Sequence, residues 1–176
     1  MRKAYLVGII FLLLIAAGCN RTTQSVSETS DPDNSTSTTS IQQLDVVDGY
    51  LLVIDYLLNN GAAIVEQDKY LALDTSKMVN LSLDDKTRLL QHLEKYGLQV
   101  LNKTRAELEQ EGFIVATNFE HGILIEIKDT KMESNGITMD ASRYRGGLFA
   151  FGMEDFRIRF VSGRWEIADI DITWVA

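Results

Sequence analysis

The sequence predicts an α+β fold in which N-terminal helices pack on a curved antiparallel sheet of four or more strands. Three observations lead there. Between Ile41 and Gly112 apolar residues recur at helical spacing and two capping signals appear. Beyond Gly112 apolar and polar residues alternate at strand spacing. The helix-rich stretch comes first and the strand-rich stretch follows it, the order of an α+β fold.

Ahead of this domain, assigned to residues 41–176, lie a leader and a polar stretch. Arg2 and Lys3 precede an apolar run from Ala4 to Ala17, broken only by Gly8, in the pattern of an export signal. As a helix the run extends about 21 Å against a hydrocarbon core of about 30 Å, short for a permanent span. It closes on Ile15-Ala16-Ala17-Gly18-Cys19, which resembles the lipobox of bacterial lipoproteins, with Ala16 where Leu is commoner. The resemblance implies that residues 1–18 are a signal peptide. It also implies that Cys19 carries diacylglyceryl and palmitate-type chains as the first residue of the mature protein. An ordinary cleaved signal and an uncleaved anchor are the alternatives, and there is no second cysteine for a disulfide. The expected location is the extracytoplasmic face of the cell membrane, where two or more acyl chains hold stably.

Residues 19–40 follow as a tether. From Asn20 to Ser40 nearly every residue is Ser, Thr, Asn, Asp or Gln, a composition that cannot offset its ordering entropy by burial. As a flexible coil it spans roughly 25 Å on average. Asp31-x-Asp33-x-Ser35 superficially matches the start of a calcium loop, but Thr36 stands where glycine is needed and Gln42 where glutamate is needed. The net charge of −8 becomes −10 once Arg2 and Lys3 leave with the leader, which disfavours nucleic acid and anionic headgroups. The expected membrane partner is therefore met through the lipid alone.

Within the domain, Leu44, Val47, Leu51, Ile54 and Leu58 step by threes and fours beside a second row of Val46, Tyr50, Val53 and Leu57. The helix they predict should pack on two sides and stop at Asn59-Asn60-Gly61. Tyr70–Asp74 predicts a strand. Ser82-x-x-Asp85 predicts a capped helix with Leu83, Leu89, Leu90, Leu93 and Tyr96 on one face and His92 half-buried beside it, ended by Gly97. Val100-Leu101 predicts a brief strand, and Thr104-x-x-Glu107 a shorter helix ending at Gly112.

Ile123, Ile125 and Ile127 then alternate with Leu124, Glu126 and Lys128, Asn135-Gly136 marks a hairpin turn, and Ile137–Asp140 begins the return. Leu148–Val161 carries Phe156, Ile158 and Phe160 on one side, and Ser162-Gly163 turns it back into Arg164–Val175. In that last stretch the apolar parity changes between Ile167 and Ile170, which predicts a β-bulge or bend.

Helices followed by a bent sheet ending in Gly-Arg-Trp-Glu-Ile-Ala-Asp-Ile resemble the cystatin-like cone of the nuclear transport factor 2 superfamily. The segment Asp140-Ala-Ser-Arg-Tyr-Arg-Gly-Gly-Leu148 is similar to one in uncharacterised exported lipoproteins of Firmicutes, in which Trp is usual at the place of Tyr144 and Ser at that of Gly146. The resemblance implies a pocket between helices and sheet but transfers no activity.

The candidate ligand-binding residues are Asp140, Arg143, Tyr144 and Arg145, with His121 as a further polar candidate. Arg143 and Arg145 share one strand parity and could together clamp a carboxylate or phosphate, although surface charges or braces for Gly146-Gly147 are the preferred reading. Asp169 and Asp171 lack the His or third acid that a metal site requires. No nucleophile elbow, zinc-protease motif or phosphate loop occurs. No cofactor or metal is expected, and two functions stay open. One is a tethered binding module for an envelope protein or small ligand. The other is a cone enzyme with Asp140, Tyr144 or His121 as acid or base.

Overall fold

The computed structural model describes residues 44–60, 64–170 and 172–176, without the side chain of Ile172. The leader, Cys19, the tether, the first residues of the domain (41–43), Gly61 and Asp171 lie outside the described residues. Among the described residues no helix is long and apolar enough to cross a membrane.

Helix α1 (Val46–Asn59) starts where the Asp45 carboxylate accepts the Val47 N–H at 3.0 Å. Both of its predicted apolar rows are used: one side meets the sheet, the other meets α2 (Leu83–Leu93). Between them comes β1 (Tyr70–Asp74), at the predicted bounds. Ser82 and Asp85 form the predicted capping box of α2, which runs through a 3₁₀ turn, Glu94–Tyr96, to Gly97 at φ 72°. Leu89 and Leu93 are buried. Leu83, at the first helical position, points away from the sheet and is 82% exposed, and His92 is exposed in the last turn rather than half-buried. The two helices are tied by Arg88 to both carboxylate oxygens of Asp45, at 2.7 and 3.0 Å, and by Lys95 and Tyr96 to Asp55. Strand β2 (Gln99–Leu101) and helix α3 (Arg105–Gln110), with its Thr104–Glu107 capping box, complete the first half.

The second half is β3 (Gly122–Asp129), β4 (Gly136–Tyr144), β5 (Ala150–Val161), β6 (Arg164–Asp169) and β7 (Ile172–Val175). The sheet has seven strands in the order β2-β1-β3-β4-β5-β6, with β7 also on β5. It corrects the expectation of an antiparallel sheet. The meander β3-β4-β5-β6 is antiparallel as expected, but β1 runs parallel to both β2 and β3, so the sheet is mixed. The physical reason is the connection: each passage from β1 to β2 and from β1 to β3 crosses through helix, and such a crossover returns the chain in the same direction.

The predicted parity change is a bulge. Ile158 pairs with Ile167 but Arg157 with Asp169, so Ala168 is extra and the register slips one residue. A second bulge sits opposite Asp140: Met139 pairs with Phe156 and Ala141 with Met153, leaving Glu154 and Asp155 facing a single residue. Asp155 takes the left-handed conformation there, φ 52°, and donates its N–H to Asp140 Oδ1 at 3.3 Å.

One sheet face lies under α1 and α2. Leu71, Leu73, Ile123, Ile125, Ile127, Met139, Phe156 and Ile158 meet Tyr50, Ile54, Leu57, Leu89 and Leu93 in one buried cluster. Helix and sheet approach closely enough that a Cβ on Gly49 would stand 2.9 Å from the Trp165 ring, whose Nε1 donates to the Asp45 carbonyl at 2.7 Å. These large side chains fill the centre of the helix–sheet interface. A shallow hollow of about 440 Å³ opens at its edge, where Asp48, Leu52 and Asp55 face Phe160, Arg164 and Trp165. One polar group is built in: the Tyr50 hydroxyl donates to Asp129, which also accepts from Val79 N and Asn80 Nδ2. Burial, and then the Asp129 carboxylate, push the Tyr50 hydroxyl well above its ordinary pKa.

Among the described residues the opposite sheet face is covered at one end, where Ala72, Leu101, Leu124, Tyr144 and Ala150 meet Leu108 of α3 and Ile114 and Phe119 of the loop after it, and the rest of that face is open.

Candidate functional site

The four residues singled out in the sequence fall on two faces of β4 and beyond its end. Arg143 points to the helix-covered side, in register with Ile125, and is 2% exposed. Arg145 reaches the same region and grips Asp68 with both ends of its fork: Nη1 to Oδ1 at 2.6 Å and Nη2 to Oδ2 at 2.7 Å. The Asp68 side chain is fully buried and also accepts the Val65 N–H at 2.8 Å. Burial first, and then the Arg145 guanidinium, hold Arg143 below its ordinary pKa, with Asp68 opposing them. The paired guanidinium groups do sit together around a carboxylate, but that carboxylate belongs to the chain. It fastens the loop before β1 to the end of β4. No parity signal in the sequence marks Asp68 as the partner, because it lies outside any periodic stretch.

Tyr144 points the other way. Its hydroxyl donates to the Thr117 carbonyl and accepts from Arg105 Nη2 at 3.0 Å, while the Arg105 guanidinium lies 4.2 Å from the ring centre. This anchors a tight turn in which Val115 and Asn118 exchange backbone hydrogen bonds and Ala116 and Thr117 both have positive φ, 47° and 69°. His121 is exposed and lines a separate hollow of about 360 Å³ with Tyr70, Phe113 and Phe119. Asp140, Tyr144 and His121 therefore do not converge on one cavity: Asp140 lines the open sheet face, His121 the aromatic hollow, and Tyr144 neither.

The open sheet face forms a trough of about 250 Å³. Its polar lining comes from alternate positions of neighbouring strands. Asp74 on β1, Glu126 on β3 and Ser142 on β4 stand in one register row, with Gly152 and Trp174 continuing it; Lys128 and Asp140 form the next. Lys77 and Glu154 complete the rim. Asp74 is 5% exposed and accepts the Ser76 N–H at 2.8 Å. Trp174 lies across Gly152, where a Cβ would overlap the indole, and stays 37% exposed. Lys77 and Lys128 stand beside carboxylates without entering any ion pair within 4.0 Å among the described residues. Trp174 and Gly152 were not among the expected site residues. The bulge at Ala168 returns Ile170 to the core side, yet β7 pairs Trp174 with Gly152 on the open face, so the periodicity of the sequence does not mark it.

The trough can hold a small polar ligand by stacking and hydrogen bonding. Among the described residues no cluster of His, Cys, Asp and Glu could hold a metal ion. Comparison with protein-family models, with curated proteins and with solved structures returned no match.

Proposed function

We propose that this protein is a lipid-anchored binding module of the cell envelope. Acyl chains on Cys19 hold it at the extracytoplasmic face of the membrane, and the uncovered half of its sheet meets a small ligand or an envelope protein. The observation that carries the binding half is the trough: an exposed aromatic ring rimmed by charged groups that neither pair with one another nor converge as acid and base on a reacting centre. The anchoring half is supported by the cationic start, the short apolar run and the small residues before the lone cysteine. The cystatin-like cone belongs to the same proposal. The antiparallel strands β3 to β6 beneath two helices support it, while the parallel β1 and β2 stand apart from the four-stranded form.

Metabolic labelling with an alkynyl fatty acid, comparing wild type with Cys19→Ala, tests the address. Label on wild type only, with Cys19→Ala released to the medium or held as uncut precursor, supports it. Equal labelling of both, or intact precursor in the cytosol of wild type, overturns it. Photocrosslinking from position 154 in the anchored protein tests the trough, and products confined to bare solvent adducts would refute it.

A further inference from the structure

We infer that the trough is a saccharide site with Trp174 as its stacking platform; this rests on the reading of the open sheet face as the binding surface. A pyranose ring presents an apolar C–H face and a rim of hydroxyls, each both donor and acceptor. The trough offers the complement. Trp174 lies over Gly152 with part of its indole exposed, a flat apolar surface on a polar sheet. Around it stand acceptor-only carboxylates, Asp140, Glu126 and Glu154, and donor-only ammonium groups, Lys77 and Lys128. Ser142 can do both.

Two further points narrow the class. The rim carries both signs, four carboxylates (Asp74, Glu126, Asp140 and Glu154) and two ammonium groups (Lys77 and Lys128), with Lys128 directly opposite Asp140. An anionic ligand would meet like charge on four of these six groups and a strongly cationic one on two, whereas a neutral polyol is repelled by none of them. The volume, about 250 Å³, falls below the roughly 300–1,000 Å³ of pockets for larger ligands and suits a single ring. An indole over a glycine also stabilises a sheet in its own right. That role alone does not call for ammonium and carboxylate groups standing around the ring outside any ion pair with one another.

The test uses the full chain on an array of immobilised neutral and amino-sugar oligosaccharides, followed by titration of the retained soluble glycan with tryptophan emission as readout. Trp165, buried and hydrogen-bonded to Asp45, supplies a constant background. The expected result is a saturable change in emission, weakened about tenfold or more by Trp174→Ala and several-fold by Glu154→Gln and Lys128→Met, with unchanged circular dichroism. The two rim variants keep the test decisive should Trp174→Ala disturb β7. No retained glycan, or retention unaffected by all three variants, overturns the saccharide assignment. If crosslinks from position 154 then reach a protein, the binding face stands and only the ligand class fails; if neither appears, both fail.

Discussion

Replacing Asp68 by Asn removes one charge from the most deeply buried ionic cluster described. The amide keeps the shape of the carboxylate, so the substitution isolates charge from packing. Asp68 has no solvent exposure in its side chain, Arg145 has 16%, and Arg143 is 2% exposed beside them. With the carboxylate gone, two guanidinium groups share one site in a region that water reaches poorly. Breaking such a pair from one side costs about 3–5 kcal/mol, against less than about 1 kcal/mol for an exposed pair. Domains of this size stand about 5–15 kcal/mol above their unfolded state, and each kcal/mol moves the midpoint by about 2–8 °C depending on length. A fall in Tm of roughly 10–20 °C follows. Urea denaturation read by circular dichroism measures it, urea being uncharged and leaving the electrostatics intact. The loss should persist in high salt, because a buried pair is screened little. Adding Arg145→Met should recover part of it. A loss below about 1 kcal/mol, or one abolished by salt, would mean that the cluster is hydrated and that Asp68 does not fasten the loop to β4.

Two further outcomes follow from single contacts. Tyr144→Phe deletes the hydroxyl that holds the Thr117 carbonyl, so it should cost about 1–2 kcal/mol and speed amide exchange at Val115–Asn118 while leaving the β3–β4 amides protected. Equal protection of that turn in both proteins would refute its anchoring role. Asp45 is held below its ordinary value of 3.8 mainly by its hydrogen bond from Arg88, with burial opposing. Its folded pKa is depressed, so its contribution to stability is complete above the unfolded value and is lost as pH falls through the folded one. Carboxyl carbon shifts should place the Asp45 midpoint below 3.8 in wild type and nearer to it in Arg88→Ala. An unchanged midpoint would assign the depression to the α1 N-cap bond instead.

Local signals were legible wherever the cause was local. Both capping boxes, the two glycine stops after α2 and α3 and the bulge near Ala168 lie where the sequence places them, because each is set by a few neighbouring residues. The hairpin turn falls one residue earlier than Asn135-Gly136, on Ser134-Asn135, with Ser134 at φ 55° and Gly136 opening β4. The direction of β1 was not legible, since nothing in Tyr70–Asp74 records which strands flank it; that is decided by how far apart the helical crossovers deliver their ends. The turn at Val115–Asn118 was missed because Ala116 and Thr117 replace the Gly or Asn that normally announces positive φ. The pairing of Arg145 with Asp68 joins residues 77 positions apart, and no period links them. Tyr144 and Arg145 join separate parts of the chain, through Thr117 and Arg105 and through Asp68, with Arg143 buried beside them, and of the expected site residues Asp140 lines the trough.

The open face carries its own boundary in the sequence. Ala72, Leu124 and Tyr144 form one register row and are buried beneath α3 and its loop; Asp74, Glu126 and Ser142 form the row two residues on and line the trough. Across three strands the change from apolar to polar falls at the same step. A sheet whose cover simply happened to be short would leave apolar side chains stranded past its edge, as exposed patches that invite association. Here the polar row begins where the cover ends, so this half of the sheet is composed for contact with water or with a polar ligand. A greasy helix or acyl chain laid there would bury Asp140, Glu126 and Lys128 without partners, at a cost of several kcal/mol per charge. Whatever occupies the trough must bring hydrogen bonds with it, and Trp174 is the exposed aromatic surface in the lining that it can also use.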